Sequence, residues 1–218
     1  MDSSPNFGQA KGWWWYRTNT LGVFPYMPSS PVYRDGMLPY LYNRLKEENK
    51  VGLTFCGDEK NQDSFVSYFD RIKTMQVLCT IGSPEDPAKL TPVGFSWVDN
   101  PRGVDGQRVA MPGEAFFKGS ERVSRSLAKL ALAYVMHDMK VDIFHGVQVV
   151  SNYAARNFAI RCGFKEVAII PKYHFVNGRL EDARIMILEA KEYLPRFFAW
   201  KEAIDLAEKN EKPVEQMA

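Results

Sequence analysis

A chain of 218 residues with 45% hydrophobic and 13% aromatic residues has enough apolar side chains for a packed core, which excludes a disordered protein. Its 28 Lys and Arg residues nearly balance 26 Asp and Glu residues, so the net charge of +2 provides no general affinity for nucleic acids. Three cysteines far apart in sequence, Cys56, Cys79 and Cys162, fit neither a disulfide framework nor a zinc site. Because no apolar run approaches the ~20 residues that span a bilayer, we expect a soluble, cytoplasmic protein without a membrane partner.

The N-terminal segment, residues 1–36, is rich in Pro, Gly, Ser and aromatic residues and includes Trp13-Trp14-Trp15-Tyr16. Four adjacent large aromatic side chains left in water would form an exposed apolar patch, so we expect them to pack on the domain or on a protein partner. A ligand platform is the alternative. We divide the chain into this arm, one α/β domain at 37–192, and a C-terminal helix with a charged tail at 193–218.

Apolar residues at helical spacing predict helices, and alternating or β-branched runs predict strands. The expected helices are 37–48, 64–72, 122–139, 152–162 and 192–209. The expected strands are 75–81, 93–98, 108–118, 141–150, 164–170 and 184–188, with a hairpin between the second and third and a turn at Asn177-Gly178. The succession of strand, helix and strand between 108 and 150 indicates a crossover connection, which is typical of an α/β domain.

The most informative motif begins at Asn152, where a β-branched run ends at a residue that can cap a helix. Gly163-Phe164 follows eleven residues later and is suited to end that helix and start another strand. This spacing, with Ala155 three residues and Phe158 six residues after the asparagine, resembles the late signature of the GNAT superfamily of acetyl-CoA-dependent N-acetyltransferases. The resemblance covers roughly residues 75–192, and the chain is similar to divergent acetyltransferase-like proteins encoded by tailed phages.

The resemblance implies a mixed, strongly twisted sheet with helices on both faces. In the family, the fourth and fifth strands splay apart, and the pantetheine arm of acetyl-CoA pairs with the exposed backbone groups like an added strand. The helix after the fourth strand points its N-terminus at the pyrophosphate of the cofactor, where free amides and the helix dipole favour anions. Acetyl-CoA is therefore the expected cofactor. Three histidines without an i, i+4 pair or an adjoining cysteine indicate no metal site.

The pyrophosphate loop departs from the family pattern. Family members carry Gln/Arg-x-x-Gly-x-Gly/Ala, because missing side chains let the phosphates approach the amides, whereas this chain has Arg122 and Ser124 in place of the glycines. In one interpretation cations replace close backbone approach; in the other, this is a solvated helix start with Ser120 as its cap. Asn152 likewise either bonds the cofactor arm or only caps its helix. The implied cofactor-binding residues are Lys118, Gly119, Ser120, Arg122, Ser124, Arg125 and Asn152.

Acetyl transfer to an amine needs a base for the amine and an acid for the departing thiolate. The family pattern indicates Glu114 as the base, with His145 as the next candidate. Ala159 stands where many members carry the acidic tyrosine, so Tyr153 and Tyr173 are the candidate acids, with packing as the alternative for both. Glu114 would have a raised pKa if it faced inward, or lie on the solvent face if the strand register differs by one residue.

The function implied is acetyl transfer from acetyl-CoA to a primary amine on a small molecule or protein, by direct attack without an acyl-enzyme. The alternative is a catalytically inactive structural or interaction protein on the same fold, which the departures at Arg122 and Ala159 favour. The similarity to phage proteins would then indicate a virion-associated or assembly component, located in the host cytoplasm or the virion.

Overall fold

The computed structural model describes residues 16, 18–25, 36–55, 61–72, 74–82, 90–104, 106–176 and 179–210. The strands are β1 (Leu21–Pro25), β2 (Gln76–Ile81), β3 (Leu90–Val104), β4 (Gln107–Phe116), β5 (Ile143–Val149), β6 (Lys165–Val176) and β7 (Arg179–Glu189). The helices are α1 (Leu38–Glu47), α2 (Val51–Phe55), α3 (Gln62–Ile72), α4 (Ser124–His137), α5 (Tyr153–Cys162) and α6 (Ala190–Asn210). The tryptophan run at 13–15, Cys56 and the expected turn at 177–178 lie outside the described residues.

The sheet is mixed, as the family resemblance implies. Its seven described strands follow the order β1-β2-β3-β4-β5-β7-β6. Neighbouring strands are antiparallel except for β4 and β5, which are parallel. Parallel neighbours need a crossover connection, and α4 provides it.

Each face of the sheet has its own apolar core. On one face, α1 and α3 pack on β2 to β4, and the fully buried rings of Phe65 and Phe69 lie 4.8 Å apart. On the other face, α4, α5 and α6 cover the sheet around Leu127, Leu130 and Phe144. Burying a side chain of this size contributes about 1.5–3 kcal/mol. Helices therefore lie on both faces and are held by packing to the strands that they cover.

Helix α5 begins and ends where the sequence predicts. The Oδ1 atom of Asn152 accepts a hydrogen bond from the backbone N–H of Ala155 (3.0 Å), so Asn152 is the N-cap. Gly163 ends the helix with φ +106°, in the left-handed region that glycine adopts without the clash of a Cβ atom. The backbone that follows enters β6 directly.

Several elements differ from those predicted: β6 continues to Val176 instead of ending at 170, β7 begins at Arg179 instead of 184, and α2 is not among the expected helices. β1 lies within residues 1–36, which sequence analysis sets apart as an arm, yet it pairs with β2 along five residues. Tyr16, just before it, is buried against Tyr134, and its hydroxyl donates to Asp138 (3.1 Å). β3 is longer than predicted because its pairing with β4 resumes after an irregularity at Asp99, which the loop-forming residues beyond that position had concealed.

Candidate active site

The two parallel strands at the centre of the sheet separate towards their C-terminal ends. β4 and β5 pair at two positions, Val109 with Ile143 and Ala110 with Phe144. Beyond these pairs β4 continues beside β3 and β5 continues beside β7. Residues 111–116 and 145–149 therefore border an opening that we name the β4–β5 gap. At about 3.3 Å per residue, its β5 side is about 16 Å long.

The closed end of the β4–β5 gap is held by backbone bonds. The N–H of Asp142 donates to the carbonyl of Arg108 (2.9 Å), and the N–H of Arg108 donates to the Asp142 carboxylate (2.8 Å). The carbonyl of Asp142 in turn accepts from the N–H of Ala190, the first residue of α6 (2.8 Å). The strands are therefore fixed where they pair and separate where α4 and α5 begin.

Glu114 lies on β4 inside this opening. Side chains alternate along a strand, and Glu114 shares the face of Ala110, which packs among α4 to α6, so it does not point to solvent. Its Oε1 atom is buried and has no hydrogen-bond partner among the described residues. Burial raises the pKa of Glu114 to about 7, because desolvation disfavours the charged form. A carboxyl group with this pKa gains and loses a proton at neutral pH, as a general base requires.

Two buried groups interact electrostatically with Glu114. Burial first, and the charge of Glu114 second, raise the pKa of the Cys162 thiol above its usual range. Burial also raises the pKa of Tyr193, and the charges of Cys162 and Glu114 add to this effect. The Tyr193 hydroxyl donates to the carbonyl of Lys129 (2.8 Å). Neither group is available as a thiolate or phenolate nucleophile at neutral pH.

The other acid–base candidates are not gathered around Glu114. His145 alternates with Gln148 along β5 and therefore faces the opposite side of the sheet. Tyr153 is the first residue of α5 and is 65% exposed at the open end of the β4–β5 gap. Tyr173 is 54% exposed on β6, which β7 separates from β5. Neither tyrosine hydroxyl has a hydrogen-bond partner in the described part of the chain.

The loop between β4 and α4 and the first turn of α4 present cations at the open end of the β4–β5 gap. Lys118, Arg122 and Arg125 are exposed and form no ion pair with any described residue. Val123 holds the N-cap position of α4, and no side chain there bonds the first amides. The positive charge and the positive end of the helix dipole favour an anion at this point, while the N–H groups of Val123 and Ser124 are bonded to the carbonyl of Ser120.

Ser120 does not cap α4, contrary to one of the two sequence-based interpretations. Its hydroxyl donates to the carbonyl of Phe117 (2.6 Å), and its own carbonyl accepts from the N–H groups of Val123 and Ser124. Ser120 is buried and therefore shapes the turn before the helix rather than its first hydrogen bond. The Ser124 hydroxyl donates to the carbonyl of Glu121 (3.2 Å).

Two carboxylates occupy amides at the start of this loop. Both oxygens of Glu48 accept from the N–H of Lys118 (2.8 and 3.0 Å), and its Oε2 lies 2.6 Å from the Lys50 ammonium. Glu121 accepts from the N–H of Gly119 (3.1 Å). The charge of Glu121 therefore lies where the family pattern predicts the negative charge of the cofactor, and Glu48 ties the loop to the end of α1.

Aromatic side chains link the two sides of the β4–β5 gap on its helix-covered face. Phe116 at the end of β4 packs against Phe158 of α5, with ring centroids 5.7 Å apart. An extended ligand arm that enters the β4–β5 gap from the side of α4 to α6 would have to pass beside these rings. Phe158 is the large apolar residue that the sequence motif places six positions after Asn152.

Two kinds of feature are absent from the described ranges. They contain no group of three or more His, Cys, Asp or Glu side chains that could hold a metal ion. Over the same ranges, no helix is both long enough and apolar enough to cross a bilayer.

Neither a protein-family model nor a curated protein sequence matches the chain, but solved structures share its architecture. The spermidine N-acetyltransferase of Vibrio cholerae, in complex with CoA and spermine, is 16% identical with a TM-score of 0.62. A chimera of that enzyme with hSSAT is 18% identical with a TM-score of 0.60, and a GNAT-family acetyltransferase from Bacillus anthracis is 11% identical with a TM-score of 0.58. Each match covers 80% of this chain and 98% of the other. The protein thus has the fold of the GNAT acetyltransferases.

Proposed function

We propose that the protein is an acyltransferase that moves an acetyl group from acetyl-CoA to a primary amine. The observation that carries this proposal is the β4–β5 gap, which has unpaired strand edges along its sides and, on β4, Glu114 with a buried and unpartnered Oε1 atom. The complex of a structural neighbour with CoA and spermine supports a thioester donor and an amine acceptor. The acceptor amine belongs to a small molecule or to a protein side chain.

The strand edges of the β4–β5 gap suit a narrow, amide-bearing ligand. Residues 111–116 and 145–149 offer backbone donors and acceptors towards one another without pairing, and an extended ligand arm satisfies such groups as an added strand does. Asn152 uses Oδ1 for its helix cap, which leaves its side-chain N–H groups to donate to the arm. Lys118, Arg122 and Arg125 would pair with the phosphates.

Glu114 performs the proton transfer in this proposal. When bound, acetyl-CoA supplies an acetyl group activated as a thioester. Glu114 takes a proton from the amine while the nitrogen bonds to the acetyl carbon and the carbon–sulfur bond breaks. The departing sulfur takes up a proton from Tyr153, from Tyr173 or from water, and Tyr153 is the better placed tyrosine because it stands at the open end of the β4–β5 gap. No covalent acyl-enzyme is required.

A second candidate function is that of an inactive interaction protein with the same fold. The occupation of the Gly119 amide by Glu121 and the contact between Phe116 and Phe158 favour it, since both stand in the path of a cofactor. Arg122 and Ser124 add side chains where close phosphate approach needs none. On this alternative the partner is a protein, and the N-terminal aromatic segment is the expected docking region.

Calorimetric titration with acetyl-CoA and with CoA separates the two functions. Micromolar binding is expected for the enzyme, with a stabilisation of about 2.7 kcal/mol at a hundredfold excess over Kd and a correspondingly higher Tm. Release of free thiol in the presence of spermine would then establish transfer. An absence of binding at millimolar CoA would leave the interaction protein.

A further inference from the structure

A row of polar side chains crosses the sheet at the level of Glu114. Gln76 on β2 stands opposite Ser96 on β3, and Ser96 stands opposite Glu114 on β4. On the far side of the β4–β5 gap, Gln148 on β5 stands opposite Arg184 on β7. Polar residues in a sheet interior that packs against helices are costly unless they are bonded or serve a ligand.

Gln148 and Glu114 lie at the same level of β5 and β4, on either side of the β4–β5 gap and on the same face of the sheet. Ala110 and Phe144 are the last paired residues, and Glu114 and Gln148 each lie four positions beyond them on parallel strands. An even spacing from two residues of the same core also places both side chains on the face covered by α4 to α6. The contact of Gln148 with α5 agrees with this placement.

The outer members of the row have partners. The Ser96 hydroxyl donates to Oε1 of Gln76 (2.7 Å), and Nε2 of Gln76 donates to the carbonyl of Thr74 (2.5 Å). Arg184 forms an ion pair with Glu166, with Nε and Oε2 2.8 Å apart, and its Nη2 donates to the carbonyl of Val150 (3.4 Å), while its buried Nε and Nη1 make no hydrogen bond with the described residues. These contacts fix the row on both sides of the β4–β5 gap.

The two members that border the β4–β5 gap each keep an unused acceptor. Nε2 of Gln148 donates to the carbonyl of Ala155 (3.4 Å), which orients the side-chain amide and leaves Oε1 buried without a partner in the described residues. Oε1 of Glu114 is likewise buried without a hydrogen-bond partner in the described residues. A buried acceptor without a donor destabilises the folded protein, because the atom has lost its hydrogen bonds to water. Two such atoms on opposite sides of one opening therefore suit a ligand that brings two N–H groups.

A neutral primary amine has the required groups. It offers two N–H bonds and a lone pair, so one N–H can bond Gln148, the other can give its proton to Glu114, and the lone pair can face the thioester. A secondary amine has a single N–H and leaves one acceptor unsatisfied.

We propose that Gln148 is a specificity-determining residue that binds the acceptor amine together with Glu114 and selects primary over secondary amines. This inference rests on the proposed acetyl transfer. An amine that is hydrogen-bonded at two points presents its lone pair in one orientation, so its nitrogen attacks the acetyl carbon from a fixed direction. The N–H groups of the cofactor arm are the competing donors, and a test must separate the two ligands.

The test compares n-butylamine with N-methylbutylamine as probes, on wild-type protein saturated with CoA and on Gln148→Leu. Binding is followed through the 13C signal of the Glu114 carboxyl group, and turnover through thiol release from acetyl-CoA. We expect the wild type to prefer butylamine at least tenfold and Gln148→Leu to show less than a threefold preference. Gln148→Glu keeps an acceptor and should retain the preference, while Gln107→Leu, at an exposed position of β4, is the matched control.

Each outcome decides the inference. An unchanged preference in folded Gln148→Leu would overturn it, and so would a tenfold loss of acetyl-CoA affinity in that variant with the preference intact, because Gln148 would then serve the cofactor arm. If wild-type protein binds no CoA, the proposed function fails, whereas titration of the CoA-free protein with the two amines still measures the preference that Gln148 determines.

Discussion

Replacement of Glu114 by glutamine should greatly slow acetyl transfer and, at the same time, stabilise the protein above neutral pH. The substitution keeps the shape of the side chain and removes its ability to take a proton, so turnover should fall by about 10²–10⁴. Stability should rise because a neutral amide needs no counter-charge in the buried opening where the carboxylate lies.

The size of the stabilisation follows from the pKa of Glu114, which burial raises from 4.5 to about 7. Between these two pH values the folded protein holds a proton that the unfolded chain has lost, so stability falls by about 1.4 kcal/mol for each pH unit. Between pH 4.5 and pH 7 the wild type therefore loses about 3 kcal/mol of its free energy of unfolding through this group, and above pH 7 the loss is complete. The side-chain amide of the Glu114→Gln variant does not titrate, and this loss disappears.

Urea unfolding at pH 5 and pH 8 measures the effect, with Glu202→Gln on the exposed side of α6 as the matched control. The free energy of unfolding of Glu114→Gln relative to wild type should increase by about 2–3 kcal/mol between the two pH values, and that of the control should not. Wild-type turnover should also rise with pH through a midpoint near 7. A variant whose relative stability is independent of pH, or one with undiminished turnover, would refute the assignment.

Three further predictions concern the loop before α4. Arg122→Ala should weaken CoA binding about fivefold by calorimetry, an effect of ~1 kcal/mol that added salt reduces. Glu121→Gln should tighten CoA binding about two- to fivefold in the same assay, because it removes the carboxylate that holds the Gly119 amide. Glu48→Gln should lower the free energy of unfolding by about 1–2 kcal/mol in urea at pH 7, because its carboxylate is bonded to the Lys118 amide. Although burial opposes the shift, the bonds from Lys50 and Lys118 lower the pKa of Glu48, so its contribution is present at neutral pH and is lost as the pH falls through the lowered pKa.

Each of these has a contrary result. If Arg122→Ala binds CoA as tightly as the wild type, Arg122 does not contact the phosphates. If Glu121→Gln binds CoA more weakly, the Glu121 carboxylate is needed to hold the loop in its binding conformation. Equal stability of Glu48→Gln and wild type at pH 7 would show that the tie between α1 and the loop contributes nothing.

The fold was largely predictable because its main elements carry local signals. The Asn152 cap and the Gly163 stop depend on single residues with strong backbone preferences, and both were predicted correctly. β1 was missed because a five-residue strand in a segment rich in proline and aromatic residues shows no periodicity. Its position is set by pairing with β2, which is a long-range contact.

The candidate site was predictable only in part, since its proposed residues are brought to one level of the sheet by strand register. Sequence reasoning selected Glu114 but could not fix the face on which it lies, because a slip of one residue inverts a strand. Gln148 was missed entirely. A signal was present, in that a polar residue interrupts the β-branched run Val147-Gln148-Val149-Val150. A strand in the middle of a sheet retains a polar residue at a cost where its side-chain atoms are buried, and such a residue is a candidate for contact with a ligand or a partner.

The short pairing of β4 with β5 divides the sheet into two panels, one of four antiparallel strands and one of three. A ligand that bonds to both edges would act as a cross-member between these panels, so part of its binding energy would go into restricting their relative motion. The ligand-free protein should then sample a range of angles between the two panels, and ligand binding should narrow that range. In this architecture the binding of a ligand and the restriction of motion between the two panels are thermodynamically coupled.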